Sequence, residues 1–227
     1  FFPKKSLVSL LNQLRKFIFK LNDYKSITIW DDYSLNNSYS IVDEEKKKDI
    51  VSDFIKKNKF NLIADIGCND GVYSYLALKN GCKNIIGFDF DINAINRAFL
   101  KSKEENLNFL PLYFDASNPS TNSGWNEKER KSFKERANFD AIIALAFEHH
   151  LSIAKNIPLE EVIEWLVSLA PQGLIEFVPK DDPTIKKMLE IKGDIFPDYN
   201  DLNFEKFLSE KSNILQKNQT SQSGRII

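Results

Sequence analysis

The stretch "LIADIGCNDGVYS", residues 62–74, decides how this chain is read. A short apolar run closes on an acidic residue, Asp65. Gly67 and Gly71 then bracket a turn, and a helix start follows. In an open parallel sheet, ligands sit beyond the carboxyl ends of the strands, near the point where strand order reverses. Glycines in such a turn let backbone approach a ligand closely and permit positive φ. The next helix offers its free N–H groups to a negative group.

The pattern continues outward from this stretch. Residues 61–66 read as a strand and 71–80 as a helix. "NIIGFD" at 84–89 is a strand, 91–103 a helix, and "LNFLPLYFD" at 107–115 a strand. A polar loop with a helical second half leads to a strand at 140–147. A helix at 158–170, a strand at 173–178 and a helix at 183–191 follow. Residues 203–210 read as a helix, and 213–227 as two strands around a polar turn. Strands alternating with helices predict parallel βαβ units and a sheet covered on both faces. The expected fold class is therefore α/β, doubly wound, with a C-terminal antiparallel hairpin.

Two ligand classes use a turn like that at 67–71. A dinucleotide site needs G-x-G-x-x-G. Counted from Gly67, the next two glycines would fall on Asn69 and Val72, so the pyrophosphate loses its close backbone approach. An NAD-type oxidoreductase is thereby disfavoured. Asp89 ends the second strand, where a carboxylate can accept both hydroxyls of a ribose. Asp115 ends the third. One acid at a strand end is a weak signal, because Asp also caps helices; three in series are a stronger one.

The pattern D-I-G-C-N-D-G, with Asp89 and Asp115 behind it, resembles the class I S-adenosylmethionine (SAM)-dependent methyltransferases. "NSGWNEKER", "ALAFEHHL", "NIPLEEVIEWL", "IEFVPKDDP" and "DIFPDYNDLNFEKF" are similar to a subgroup of bacterial methyltransferase-like proteins. Some of these carry a nodulation-associated name. The likeness covers most of residues 28–227. It implies a Rossmann-like methyltransferase sheet and SAM as cofactor. It also implies a cofactor site drawn from Asp65, Gly67, Cys68, Asn69, Gly71, Asp89, Phe90, Asp115 and Ala116. In that family the turn cradles the amino-acid end of SAM, and the acid after the third strand commonly accepts from the adenine amino group.

The acceptor is less legible. Residues after the fourth strand usually face the methyl group; here they are Phe147, Glu148, His149 and His150. These are the chain's only two histidines, and imidazole titrates near neutral pH. The expectation is that His149 or His150 serves as base, His149 being favoured as nearer the strand end, with Glu148 orienting it or the substrate. Either histidine can equally brace the loop. The N/D-P-P-F/Y signature of base amino-group methylation is absent, so a small-molecule oxygen is the expected acceptor. A non-catalytic SAM-binding or partner-binding module with the same fold is the alternative. No metal site is expected, because the short cluster offers too few ligands.

Other features bound the reading. Formal net charge is −1, and of 31 basic residues only 5 are Arg. Phosphate recognition favours Arg, so no nucleic-acid partner is expected. Cys68 and Cys82 match no zinc spacing and fit a cytoplasmic protein. No apolar run is long enough for a membrane span. Glu176 sits in an apolar strand, where burial is costly without a partner. Trp125, Asn126, Glu127 and Arg130 are candidates to line the cleft.

Residues 1–58 read as a helical extension and lid, and 59–227 as the methyltransferase domain. Within the extension, Leu7, Leu10, Leu11, Leu14, Phe17, Ile18 and Leu21 share one helical face. Such a face can serve a membrane surface or a partner; packing on its own domain is the expectation. Trp30, Tyr33 and Tyr39 are candidates to close over the cofactor. The chain begins with Phe1 and not Met, which reads as a fragment or processed form; the last strand is short at Ile227, so continuation past that residue is expected.

Overall fold

The computed structural model describes residues 3–21 and 41–227. Trp30, Tyr33 and Tyr39 lie outside the described residues. Two helices come first, α1 (Lys4–Phe19) and α2 (Ile41–Lys57). Then β1 (Leu62–Ile66), α3 (Val72–Lys79), β2 (Asn84–Asp89), α4 (Ile92–Glu104) and β3 (Phe109–Tyr113) alternate. After α5 (Phe133–Arg136) come β4 (Ala141–Ala144), α6 (Leu159–Val167) and β5 (Gly173–Ile175). Helices α7 (Pro183–Lys192) and α8 (Asp201–Lys211) complete the series.

The five strands lie in the order β3-β2-β1-β4-β5, and every pairing is parallel. The chain winds outward from β1 to β3, then returns to place β4 on the other side of β1. The switch point is therefore at the carboxyl ends of β1 and β4, where a crevice must open.

Alternation along each strand feeds two separate cores. Ile63, Ile85, Ala141 and Ile143 face a layer that includes Val51 and Ile55 of α2, with Tyr75 and Ala77 of α3. Ala64, Ile66, Phe88, Ile142 and Ala144 face Phe133, Val162 and Leu166 on the other side. Helix α2 thus belongs to the same core as the sheet, so the expected division at residue 58 cuts through packed side chains. A third cluster holds Phe177, Val178, Ile185, Tyr199 and Phe204 beyond β5.

Three sequence expectations change in detail. Strand β4 ends at Ala144 rather than near 147, because Ala146 turns to φ 49°. The C-terminal hairpin is reduced to bridges: Ile226 pairs antiparallel with both Phe177 and Gln219, and residues 213–217 form no strand. Helix α1 buries none of its residues. The expectation that its apolar face packs on its own domain is therefore corrected: every residue from 3 to 21 is exposed.

Gly71 shows why the turn after β1 needs glycine. Its φ is 89°, and an added Cβ would stand 2.6 Å from Phe109 Cε1. Left-handed strain and overpacking each cost about 1–3 kcal/mol. Gly71→Ala is therefore expected to destabilise by about 2–6 kcal/mol in urea unfolding. Gly81 has φ 108° with no atom within 4 Å of an added Cβ, so Gly81→Ala should show the strain alone. Equal losses at the two positions would contradict the packing role given to Gly71.

Candidate cofactor and active site

A cavity of about 690 Å³ opens at the carboxyl ends of β1, β2, β3 and β4. Gly67 and Asn69 line it from the first turn, Asp89, Phe90 and Asp91 from the second, and Asp115 and Ala116 from the third. The fourth contributes Leu145, Ala146, Phe147 and His150.

Each of these carboxylates is held by backbone amides, and Asp115 by a hydroxyl as well. Asp89 accepts from the Asn69 amide at 2.8 Å and from the Asp91 amide at 2.9 Å. Each oxygen keeps lone pairs to accept hydroxyls from a ligand. Burial pushes this carboxyl up from its ordinary range, while the two amides oppose that shift. Asp91 caps α4 by accepting from Asn93 and Ala94. Asp115 Oδ1 accepts from the Ser117 hydroxyl at 2.6 Å and from its amide at 2.9 Å. Those bonds, with Lys155 4.0 Å from Oδ2, hold Asp115 below the ordinary carboxylate range.

Three residues expected in the cofactor site do not line the cavity. Asp65 is buried, and its Oδ2 accepts from the Ser74 hydroxyl at 2.6 Å inside the sheet–α3 layer. Burial, with Asp89 adding repulsion, outweighs the Ser74 bond and raises Asp65 to about 7. Cys68 packs into the core, where its Sγ would stand 2.7 Å from a Cβ added at Gly87. Gly71 is closed off by Phe109 and Tyr75. All three shape the turn from behind the cavity wall. Gly67 does form a cradle: its φ is 77°, and an added Cβ would meet Phe147 at 2.7 Å.

Beyond β4 the chain turns sharply and splits its side chains. Phe147 covers Gly67. Glu148 points away from the cavity and is fully buried; its Oε1 accepts from the Val178 amide at 2.9 Å. The Tyr199 hydroxyl oxygen lies 2.8 Å from that Oε1 and 2.7 Å from the Val178 carbonyl. One hydroxyl proton cannot serve both. Burial, only partly offset by these bonds, raises Glu148 to about 6. Above about pH 6 the Tyr199 hydroxyl donates to the Glu148 carboxylate; below it, a protonated Glu148 leaves the hydroxyl free to donate to the Val178 carbonyl. This is a brace between β4 and the region beyond β5.

The two histidines also separate. His149 is 2% exposed and lies outside the cavity, its Nδ1 3.7 Å from Glu148 Oε2. The expectation that His149 points into the cleft is therefore corrected; His150, in a short π-helical turn over His150–Ala154, is the one that lines it. Such turns recur at functional sites. Burial, then the charge of Arg225, lowers His149 to about 3. Burial and the neighbouring imidazole, 4.1 Å away between ring centroids, lower His150 to about 3.

Further buried charges lie nearby. Glu176 is paired with Lys47 of α2 at 2.6 Å, both almost fully buried. Arg225 grips Asp182 through Nε at 2.7 Å and a second nitrogen at 2.9 Å. Burial opposes ionisation of Asp182, but the Arg225 bond and charge carry it down to about 2. These pairs pin α2 and the C-terminal turn to β5 and α7. Trp125 is 84% exposed, and neither it nor Asn126, Glu127 or Arg130 lines the cavity. Among the described residues there is no metal-holding group of His, Cys, Asp and Glu. No helix there is long and apolar enough to cross a membrane.

The fold is that of the class I SAM-dependent methyltransferases. Magnesium protoporphyrin IX methyltransferase (ChlM) of Synechocystis PCC 6803, with bound SAH, aligns at TM-score 0.55 and 19% identity. That match covers 96% of this chain and 92% of the other. N-methyltransferase NodS of Bradyrhizobium japonicum WM9, also with SAH, aligns at TM-score 0.58 and 14% identity, covering 86% and 89%. In sequence, the chain is 45% identical over 226 residues to the nodulation protein NoeA of Rhizobium meliloti (strain 1021). The match takes in 99% of this chain and 48% of NoeA, so the chain spans about half of that relative's length. No family model matches.

Proposed function

We propose that this chain is a SAM-dependent methyltransferase acting on an oxygen of a small molecule. The observation that carries the reading is the convergence of Gly67, Asn69, Asp89 and Asp115 on one cavity at the switch point. Asp89 suits a ribose, Asp115 an adenine amino group, and the Gly67 turn an amino-acid end. When bound, SAM supplies an activated methyl on a sulfonium. The chain's own task is alignment and exclusion of water. Phe147, Leu145 and Leu151 give the cavity the apolar wall this needs.

His150 is the imidazole placed to meet an acceptor. With its pKa lowered to about 3 it is neutral at working pH. A neutral imidazole can orient a hydroxyl and take its proton as the methyl transfers, although such a weak base does so modestly. His150→Ala should lower turnover by roughly 10²-fold, the lower end for a positioned base, with SAM affinity nearly unchanged. His149→Ala should chiefly lower stability. The rate should show no imidazole titration between about pH 6 and 8, because neither ring is charged there. A rate falling through an apparent pKa near 6.5 that His150→Ala removes would contradict this.

The experiment that tests the function itself has two steps. Calorimetry with SAM, SAH and NAD separates a methyltransferase site from a dinucleotide site. Formation of SAH from SAM in a fractionated small-molecule extract then separates an enzyme from a binding module. SAM binding without turnover across all fractions would favour the module.

A further inference from the structure

Helix α1 is an amphipathic surface that none of the described residues covers: every residue from 3 to 21 is exposed. At 100° per residue, Leu7, Leu10, Leu11, Leu14, Phe17, Ile18 and Leu21 fall in a single arc of about 120°. No polar residue interrupts that arc. Each of the seven is between 45% and 63% exposed. The remaining surface carries Lys4, Lys5, Arg15, Lys16 and Lys20, and residues 3–21 contain no Asp or Glu.

From this we infer that α1 docks on an anionic lipid surface, lying in the plane of the headgroups. The inference is independent of the proposed methyl transfer. Two observations choose the occupant. The charge is of one sign, with Lys4 and Arg15 flanking the apolar arc and Lys5, Lys16 and Lys20 behind it, so a second copy of α1 would add five more cations and no acid to answer any of them. An anionic bilayer instead attracts each cation while its acyl boundary accepts the leucines and phenylalanine. Length agrees: 16 residues at 1.5 Å each make about 24 Å, short of the ~30 Å needed to span.

Co-sedimentation of the 227-residue chain with vesicles tests this. Vesicles with about one third phosphatidylglycerol should retain the protein at low salt, and vesicles of phosphatidylcholine alone should not. Raising salt to about 0.5 M should release it, because such charges are then screened. Reversing Lys16 and Lys20 together to Glu should weaken binding by about a hundredfold or more, given what each cation contributes near such a surface. Leu14→Glu with Phe17→Glu should abolish it. Both pairs lie on exposed positions, so their thermal melts should match the parent chain, and the charge-reversed pair leaves the apolar arc intact. No retention by anionic vesicles would overturn the inference, as would equal retention by both kinds. A dimer in light scattering that Leu14→Glu dissolves, without vesicle binding, would assign the face to a second copy instead.

Discussion

Replacing Asp89 should remove most of the affinity for SAM. Its two oxygens accept from the Asn69 and Asp91 amides, which aims the remaining lone pairs into the cavity. Two ribose hydroxyls would each give a charge-assisted bond of about 1.5–3 kcal/mol. Asp89→Ala should therefore cost about 3–6 kcal/mol, or roughly 10²–10⁴-fold in Kd by calorimetry. Asp89→Asn is not conservative here. Each oxygen already faces an N–H donor, so the amide must turn its own NH2 toward one of them. It should bind nearly as poorly as the alanine variant. Lys83→Ala, exposed at the far end of β2, should leave affinity unchanged. If Asp89→Ala and Lys83→Ala bound SAM alike, the ribose role would be lost, and with it much of the case for methyl transfer.

The sheet and its cleft were legible because hydrophobic runs and turn glycines are local signals. Strand ends could be marked from sequence, and Asp89 and Asp115 do reach the cavity from them. Asp65 shows the limit. It alternates with Ile63, and the pleat sends both toward α3, where Ser74 awaits. Sequence shows that parity, but not that a side chain at a strand end stays in the layer instead of leaning over the edge. The histidines show another limit. The pair "HH" does not say which ring enters the cleft; the turn at Ala146 and the π-helical turn from His150 put His150 on the cavity wall and His149 behind it. The partners of buried Glu176 and Asp182 come from α2 and from Arg225. No local pattern connects them, although an acid inside an apolar strand does announce that a cation must arrive.

Asp65→Asn is expected to stabilise the protein, increasingly so at high pH. Asp65 is held in a buried layer where its carboxyl titrates at about 7 against an ordinary 3.8. Its folded pKa is raised, so between those values the folded state holds a proton that the unfolded chain has lost. Stability then falls as pH rises, by about 1.4 kcal/mol per unit. The loss begins near pH 3.8 and is complete just above pH 7, and over that window it amounts to roughly 4 kcal/mol. Asparagine has nearly the same shape, carries no titrating proton and can still accept the Ser74 hydroxyl bond. The variant should match the parent chain within about 1 kcal/mol at pH 4 and exceed it by roughly 3–4 kcal/mol at pH 8. Urea unfolding at the two pH values reads this directly. The other titrating groups are common to both chains, so they cancel in the difference. A stability difference that does not change with pH would mean that Asp65 ionises in the fold as freely as in the open chain. Its burial beside Ser74 would then not govern its charge.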